Sequence, residues 1–202
     1  MNQIIKNTII LFVITLVAGI CLGTVHDITL DPIAQAQEAA ATKTYQEVYP
    51  DAASFDEPQE LADAVTAAAD SISEWGFGKV TINDAKEALD ASGNQIGYLI
   101  TSTSAESYGG NVQIAVGITN EGELTGIGFL SISDTPGLGM RAKEPDFKDQ
   151  FIGKKAENLE VTKTGASADN QIEAISGATL TSKAVTNATD AAIYFVANCL
   201  AQ

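Results

Sequence analysis

Histidine is nearly missing from this chain: His26 is the only one in 202 residues. That excludes a catalytic triad built on histidine, because His26 merely borders an apolar run. A zinc cluster of Cys and His is excluded for the same reason. Cysteine is as scarce, with Cys21 inside the apolar run and Cys199 close to the C-terminus, so no disulfide between them is expected. Basic side chains are few as well: 11 Lys and Arg face 26 Asp and Glu, for a formal net charge of −15. Nucleic acid, whose phosphates such a chain repels, is excluded as a partner. So is a free basic binder of membrane surfaces.

What the chain does have begins at its N-terminus. Residues 7–25 carry no charge and are mostly Ile, Leu, Val and Phe. A helix of that length spans about 30 Å, the hydrocarbon thickness of a bilayer. The competing reading is a cleavable signal peptide, supported by Ala18-Gly19 and the alanines near Ala34. The apolar core is longer than a usual signal core, which favours an uncleaved anchor. A lipoprotein signal is set aside because Ile20, just before Cys21, is bulkier than the small residue such signals place there. Lys6 flanks one end and Asp27, Asp31 and Glu38 the other, so the positive-inside tendency puts the N-terminus in the cytoplasm and the rest outside. The expected organisation is a transmembrane anchor over 1–26, a stalk or linker over 27–44, helical or disordered, and an extracytoplasmic domain over 45–202.

In the domain, Ser54 followed by Glu57 suggests a capping box, with Pro58 next to it. Leu61, Val65, Ala68 and Ile72 recur at helical spacing and stop before Gly76. Trp75 and Phe77 read as packing residues. From Val80 to Ser133 the pattern changes to strands, with 95–101, 112–118 and 124–130 rich in β-branched and aromatic residues. Gly93-Asn94, Tyr108-Gly109-Gly110-Asn111 and Asn120-Glu121-Gly122 separate them as turns. In Thr135-Pro136-Gly137-Leu138-Gly139, Pro136 and Gly137 suit a type II turn, and Gly139 is expected to let a planar ligand approach the backbone. A short helix over 147–151, a solvated Lys154-Lys155 pair, an edge strand at Val161-Thr162-Lys163 and a polar loop over 164–171 follow. The fold class is α+β: an antiparallel sheet flanked by helices, preceded by a single transmembrane helix.

The chain is organised around Ser176-Gly177-Ala178-Thr179-Leu180-Thr181-Ser182. Val185, Ala188, Ala192, Phe195 or Val196, and Cys199 recur beyond it on one helical face, so this hydroxyl-rich run opens a helix. Unpaired N–H groups and the positive end of the helix dipole favour an anion there, above all a phosphate, and Lys183 adds a positive charge. An ordinary capping arrangement accounts for the same residues.

Ser176-Gly177-Ala178-Thr179 resembles the flavinylation motif of the FMN-binding domain family, found in the G subunit of the Rnf ion-translocating oxidoreductase and the C subunit of the sodium-pumping quinone reductase. Tyr108-Gly109-Gly110 and Thr135 to Gly139 stand in the family's order, and the Tyr45-to-Phe55 region is similar to its entry segment. The family commonly has Glu where Asp134 stands, and Asp where Glu173 stands. The resemblance implies FMN joined by a phosphoester to the Thr179 oxygen and installed by a separate flavin transferase. It implies a phosphate over the backbone of Ser176 to Thr181, with the Thr181 or Ser182 hydroxyls as further donors. It also implies an isoalloxazine beside Thr135, Pro136, Gly137, Leu138 and Gly139, with Tyr108 and Gly109 in the cofactor site.

Resemblance to the G subunit is stronger than to the C subunit, because the chain is short and Thr24 to Ile33 is similar to the same stretch of the former. The implied role is a one-electron carrier among the membrane subunits of a complex that passes electrons from ferredoxin to NAD while moving Na+ or H+. No side chain of this protein is expected to act as a catalytic acid or base. Remaining alternatives are a quinone-reductase C-type subunit, an anchored module that binds an anion without a covalent bond, and a structural protein that clamps membrane partners.

Overall fold

Strand-forming residues from 80 to 132 build four strands, and a short strand before them completes a five-stranded antiparallel sheet in which every strand pairs with its sequence neighbour. A computed structural model describes residues 2–155 and 158–200. Its strands are β1 (Ser54–Asp56), β2 (Val80–Leu89), β3 (Gln95–Ser107), β4 (Gly110–Thr119) and β5 (Leu124–Ile132). Short turns suffice because antiparallel neighbours need no crossover. At the β2–β3 turn, Asp90 Oδ1 accepts from the N–H groups of Ser92 at 2.7 Å and Asn94 at 2.9 Å.

Both faces of the sheet are covered, so consecutive residues in the middle of β3 and β4 are buried rather than alternate ones. On one face Ile100, Ile114, Val116 and Ile118 pack with Ala184, Val185, Ala188, Ala192 and Phe195 of helix α4 (Thr179–Phe195). The Ser102 hydroxyl donates to Ala188 O at 2.9 Å, tying β3 to the middle of that helix. On the other face Leu99 and Ala115 pack with Val48, the last residue of helix α1 (Gln3–Val48). The Thr125 hydroxyl donates to Val48 O at 2.7 Å and so satisfies a carbonyl left open by the helix end. Tyr49 donates to Ile96 O at 2.8 Å. Helix α2 (Gln59–Ala69) buries Leu61 and Ala68 against β2, as its spacing requires.

The chain divides into two units, Met1–Thr42 and Lys43–Gln202. The first is helical, with mean hydropathy 2.6 over its most apolar window, and by length and composition it can cross a membrane. Its threonine hydroxyls are satisfied within the helix: Thr8 bonds Ile4 O at 2.9 Å and Thr24 bonds Ile20 O at 2.8 Å, as a span without water requires. Residues 27–44, expected as stalk or linker, are helical and include Pro32. Residues 1, 156–157 and 201–202 of the expected anchor and domain lie outside the described residues. Cys21 and Cys199 are both free thiols.

Two local expectations are corrected. Ser54 does not open a capping box: it lies in β1, paired with Leu89, while Pro58 precedes α2 and makes no side-chain cap. Glu57 turns instead to Lys86, at 2.6 Å. Residues 161–163 do not form an edge of the main sheet. Strand β6 (Glu160–Thr162) pairs in parallel with β7 (Gln171–Glu173), because the polar loop between them returns the chain in the same direction. The 147–151 segment forms helix α3 (Pro145–Lys148) and a 3-10 turn, with Phe147 and Phe151 edge to face at 5.6 Å.

Asp190 is the unexpected polar residue of the core. Six per cent exposed on α4, its Oδ1 accepts the Leu159 N–H at 2.9 Å. Burial pushes its carboxyl up to about 7, against the opposing pull of that N–H. Because the folded value lies above the unfolded one, this group's contribution to stability is fullest below the unfolded value and is lost as pH rises toward 7. Denaturant unfolding of the full chain in detergent should show this decline, which amounts to about 4 kcal/mol. Asp190→Asn should flatten it and be more stable than the wild type above neutrality. An identical pH profile in the variant would show that another group sets the dependence.

Candidate functional site

Helix α4 starts at Thr179, with Ala178 as its N-cap and no side-chain cap on the turn. The first amide of the helical series to find a carbonyl is that of Ser182, which reaches Ala178 O at 3.0 Å. The N–H groups of Thr179, Leu180 and Thr181 therefore lack intrahelical partners and stand at the positive end of the dipole. Thr179 is half-buried, Ser176 and Gly177 are exposed, and Ala178 is buried. Leu180 is 57% exposed, an unusual position for leucine unless something covers it. Lys183 is also on the surface.

The expected hydroxyl donors lie deeper. Ser182 is fully buried, donates its proton to Ala178 O at 3.0 Å and accepts the Ile175 N–H at 3.0 Å. Its hydroxyl thus locks the approach to the helix and has no proton left for a phosphate. Thr181 is also fully buried, and its Oγ1 has no hydrogen-bond partner among the described residues.

The Thr135–Gly139 segment folds as the proline and glycine dictate. Leu138 N–H bonds Thr135 O at 3.1 Å across Pro136-Gly137, and Gly137 takes the positive φ of 76° that a type II turn requires. Thr135, Pro136 and Gly137 are exposed, and Leu138 is 43% exposed. A Cβ on Gly177, whose φ is 78°, would lie 3.1 Å from Leu138 Cδ2, so the turn and the Ser176–Thr179 run meet there.

Gly139 does not play the expected part. It is buried, and the space its missing side chain leaves is filled by Asp134, whose Cβ would lie 2.6 Å from a Cβ at 139. Asp134 also reaches the β3–β4 hairpin, where its Oδ1 accepts the Gly109 N–H and its Oδ2 the Ser107 hydroxyl. Gly109 and Tyr108, the latter 74% exposed, thereby join the turn. The path from Gly109 to Gly177 runs through Asp134 and Leu138. In the sequence Asp134 stands out only for its length relative to Glu.

Gln150 carries a role that the sequence does not signal. Its Oε1 accepts the Glu173 N–H at 2.7 Å and its Nε2 donates to Glu173 O at 3.3 Å, fixing the strand that leads into Ser176. Glutamine at a helix end has no recognisable pattern for this, since the partner is backbone. Arg141, Glu144, Phe147, Gln150, Glu173 and Ser176 line a cleft of about 270 Å³ beside the run. Arg141 Nε is held there by Glu144 at 3.2 Å.

The FMN-binding domain family matches residues 107–194, a range that contains all three of these segments. The RnfG N-terminal region matches residues 1–48. The chain is 34% identical to the G subunit of the Na+-translocating ferredoxin:NAD+ oxidoreductase complex of Acetobacterium woodii, over 96% of this chain and 92% of that one. It is 29% identical to the proton-translocating counterpart of Clostridium ljungdahlii, over 95% and 91%. With the G subunit of the ion-translocating oxidoreductase complex of Methanosarcina acetivorans it shares 30% identity over 96% and 95%. Among solved structures, Shewanella oneidensis NqrC matches with a TM-score of 0.45 and 19% identity, over 55% of this chain and 54% of that one. The C subunit of the Na+-translocating NADH-quinone reductase of Parabacteroides distasonis matches with a TM-score of 0.44 and 19% identity, over 71% and 95%.

The Ser182 hydroxyl is the internal fastening of the site. Ser182→Ala leaves the buried Ile175 N–H without its acceptor and should cost about 1–3 kcal/mol in urea unfolding. A variant as stable as the wild type would show that the loop re-pairs elsewhere.

Proposed function

Because the chain belongs to the family of G subunits of ion-translocating oxidoreductase complexes, we propose that it carries FMN as a phosphoester on Thr179. It passes electrons among the membrane subunits of an Rnf-type ferredoxin:NAD+ oxidoreductase that moves Na+ or H+. Thr179 carries this reading: a half-buried hydroxyl on the first residue of a helix whose first three amides have no intrahelical partner. The N–H groups of Thr179 and Leu180, at the exposed start of the helix, fit a phosphate without any added cation. Leu138, Leu180, Pro136 and Tyr108 offer exposed apolar and aromatic surface nearby in the connected loops, of the kind a flavin ring covers.

When bound, FMN supplies the one- and two-electron redox chemistry that the side chains lack. The chain's own part is to hold and orient. Thr179 provides the oxygen of attachment, the amides of the first turn balance the phosphate's charge, and the apolar residues exclude water from one side of the ring. A covalent link also removes dissociation, and with it the translational cost of rebinding. A separate flavin transferase installs the group from FAD: the Thr179 oxygen bonds to the FMN phosphorus as the pyrophosphate bond breaks and AMP leaves. The apolar helix anchors the chain in the membrane, and Lys6 against Asp27, Asp31 and Glu38 favours an N-terminus in the cytoplasm with the domain outside.

The experiment is to express the full chain with a flavin transferase and measure its intact mass. One added FMN is expected, mapping to the peptide that contains Thr179 and remaining fluorescent after denaturing electrophoresis. Thr179→Ala should remove it while the chain still folds. Covalent flavin persisting in that variant overturns the assignment. Flavin that binds the native chain but washes out on denaturation supports instead a module that holds it without a bond.

A further inference from the structure

Asp134 is 5% exposed, although the turn that follows it lies on the surface. A carboxylate is expensive to bury unless its oxygens are matched. Here both are, one by the Gly109 N–H and the other by the Ser107 hydroxyl. Two glycines make room for it. A Cβ at 139 would stand 2.7 Å from Asp134 Cγ, and a Cβ at 109 would stand 2.8 Å from Asp134 Cα. Ser107 and Gly109 belong to the β3–β4 hairpin, whereas Gly139 closes the turn after β5. One side chain therefore fastens together two loops that share no strand, and the second of them carries Leu138 onto Gly177.

Given that Thr179 is the point of FMN attachment, we infer that Asp134 is a positioning residue of the flavin site. It holds the Tyr108–Gly109 hairpin and the Thr135–Gly139 turn as one wall beside the Ser176–Thr179 run. Its own oxygens are occupied by the protein, so it acts through the loops and not by contact with the cofactor. An apolar residue in this place would fill the volume as well. It would leave the Gly109 N–H unpaired and the two loops free to part. A charge-assisted hydrogen bond is worth roughly a factor of ten in such a two-state equilibrium, so losing it shifts the wall toward an open form.

The test uses the full chain in detergent, loaded with FMN by co-expression with a flavin transferase. FMN content is read by intact mass, ring exposure by iodide quenching of flavin fluorescence, and ring environment by the flavin midpoint potential. Asp134→Ala should keep the added mass, raise the quenching constant about twofold or more as the wall opens, and shift the potential. Ser107→Ala, which removes one of the two donors, should move both readings the same way by less. Asp134→Asn, which can still accept from Gly109, should return most of the wild-type values. A purely structural role would lower the unfolding midpoint and leave quenching and potential unchanged, and that result in loaded Asp134→Ala overturns the inference. Should Asp134→Ala not fold, wild-type quenching and potential in loaded Ser107→Ala overturn it equally. A wild-type chain bare of FMN points elsewhere: it refutes the assignment of Thr179, on which the inference rests.

Discussion

Helix α4 begins with amides that have no carbonyl to meet, and the arrangement of the domain follows from where they are put. Unpaired N–H groups are costly in a dry interior, and the first two residues of the helix, Thr179 and Leu180, reach the surface while its later turns fill the core. Those later turns are rich in alanine, with Ala184, Ala188, Ala191 and Ala192 all fully or almost fully buried. Small residues let the helix lie close to β3, close enough for Ser102 to bond the Ala188 carbonyl. The junction of surface and core runs between Leu180, which is exposed, and Thr181, which is fully buried, while Lys183 stays on the outer face. Ser182 makes it stable by serving at once as acceptor for Ile175 and donor to Ala178.

Much of this is legible in the residues alone, and for identifiable reasons. The period of Val185, Ala188, Ala192 and Phe195 points to the helix and its buried face, and all four residues are in the core. Pro136-Gly137 points to the turn, since few backbones suit both residues. Strands 95–101, 112–118 and 124–130 stand out because β-branched residues recur between glycine turns, and each lies within one of β3, β4 and β5. What cannot be read are pairings without a local signature. β1 is three residues long and owes its form to β2, so Ser54 looks like a helix cap. β6 and β7 are equally short and define each other. The grip of Gln150 on Glu173 joins a side chain to a backbone 23 residues away, and no spacing rule points to it.

Asp134 and Asp190, the buried carboxyl groups among the described residues, show how differently one residue type can be used. Asp134 is matched on both oxygens by donors from another loop, whereas Asp190 takes the Leu159 N–H on its Oδ1. Burial dominates at Asp190 and pushes its carboxyl up, and that N–H donor only partly opposes the shift. It sits on the same helix as Thr179 but near the opposite end, where it fastens the chain entering β6. A carboxyl group in the core thus serves in both places to join segments that no strand or helix connects.

Glycine in a binding motif invites the reading that a ligand needs the room, and the geometry separates cases that sequence treats alike. Around Gly137 there is open space within 4 Å of where a Cβ would stand, and its φ of 76° explains its presence through the turn alone. Around Gly139 there is no room because Asp134 fills it, and around Gly109 the Ser133 carbonyl and Asp134 together leave none. Gly177 lies between these limits, with Leu138 at its side and a backbone that favours glycine. The motif's glycines therefore serve the scaffold first: one shapes a turn, two admit a carboxylate, and one lets two loops touch. What those glycines allow to converge is the open amides at the start of α4 and the exposed apolar side chains of Leu138 and Leu180. Holding these loops in register is also what a flavin bound here would need, because a wall that wanders cannot keep water from a ring.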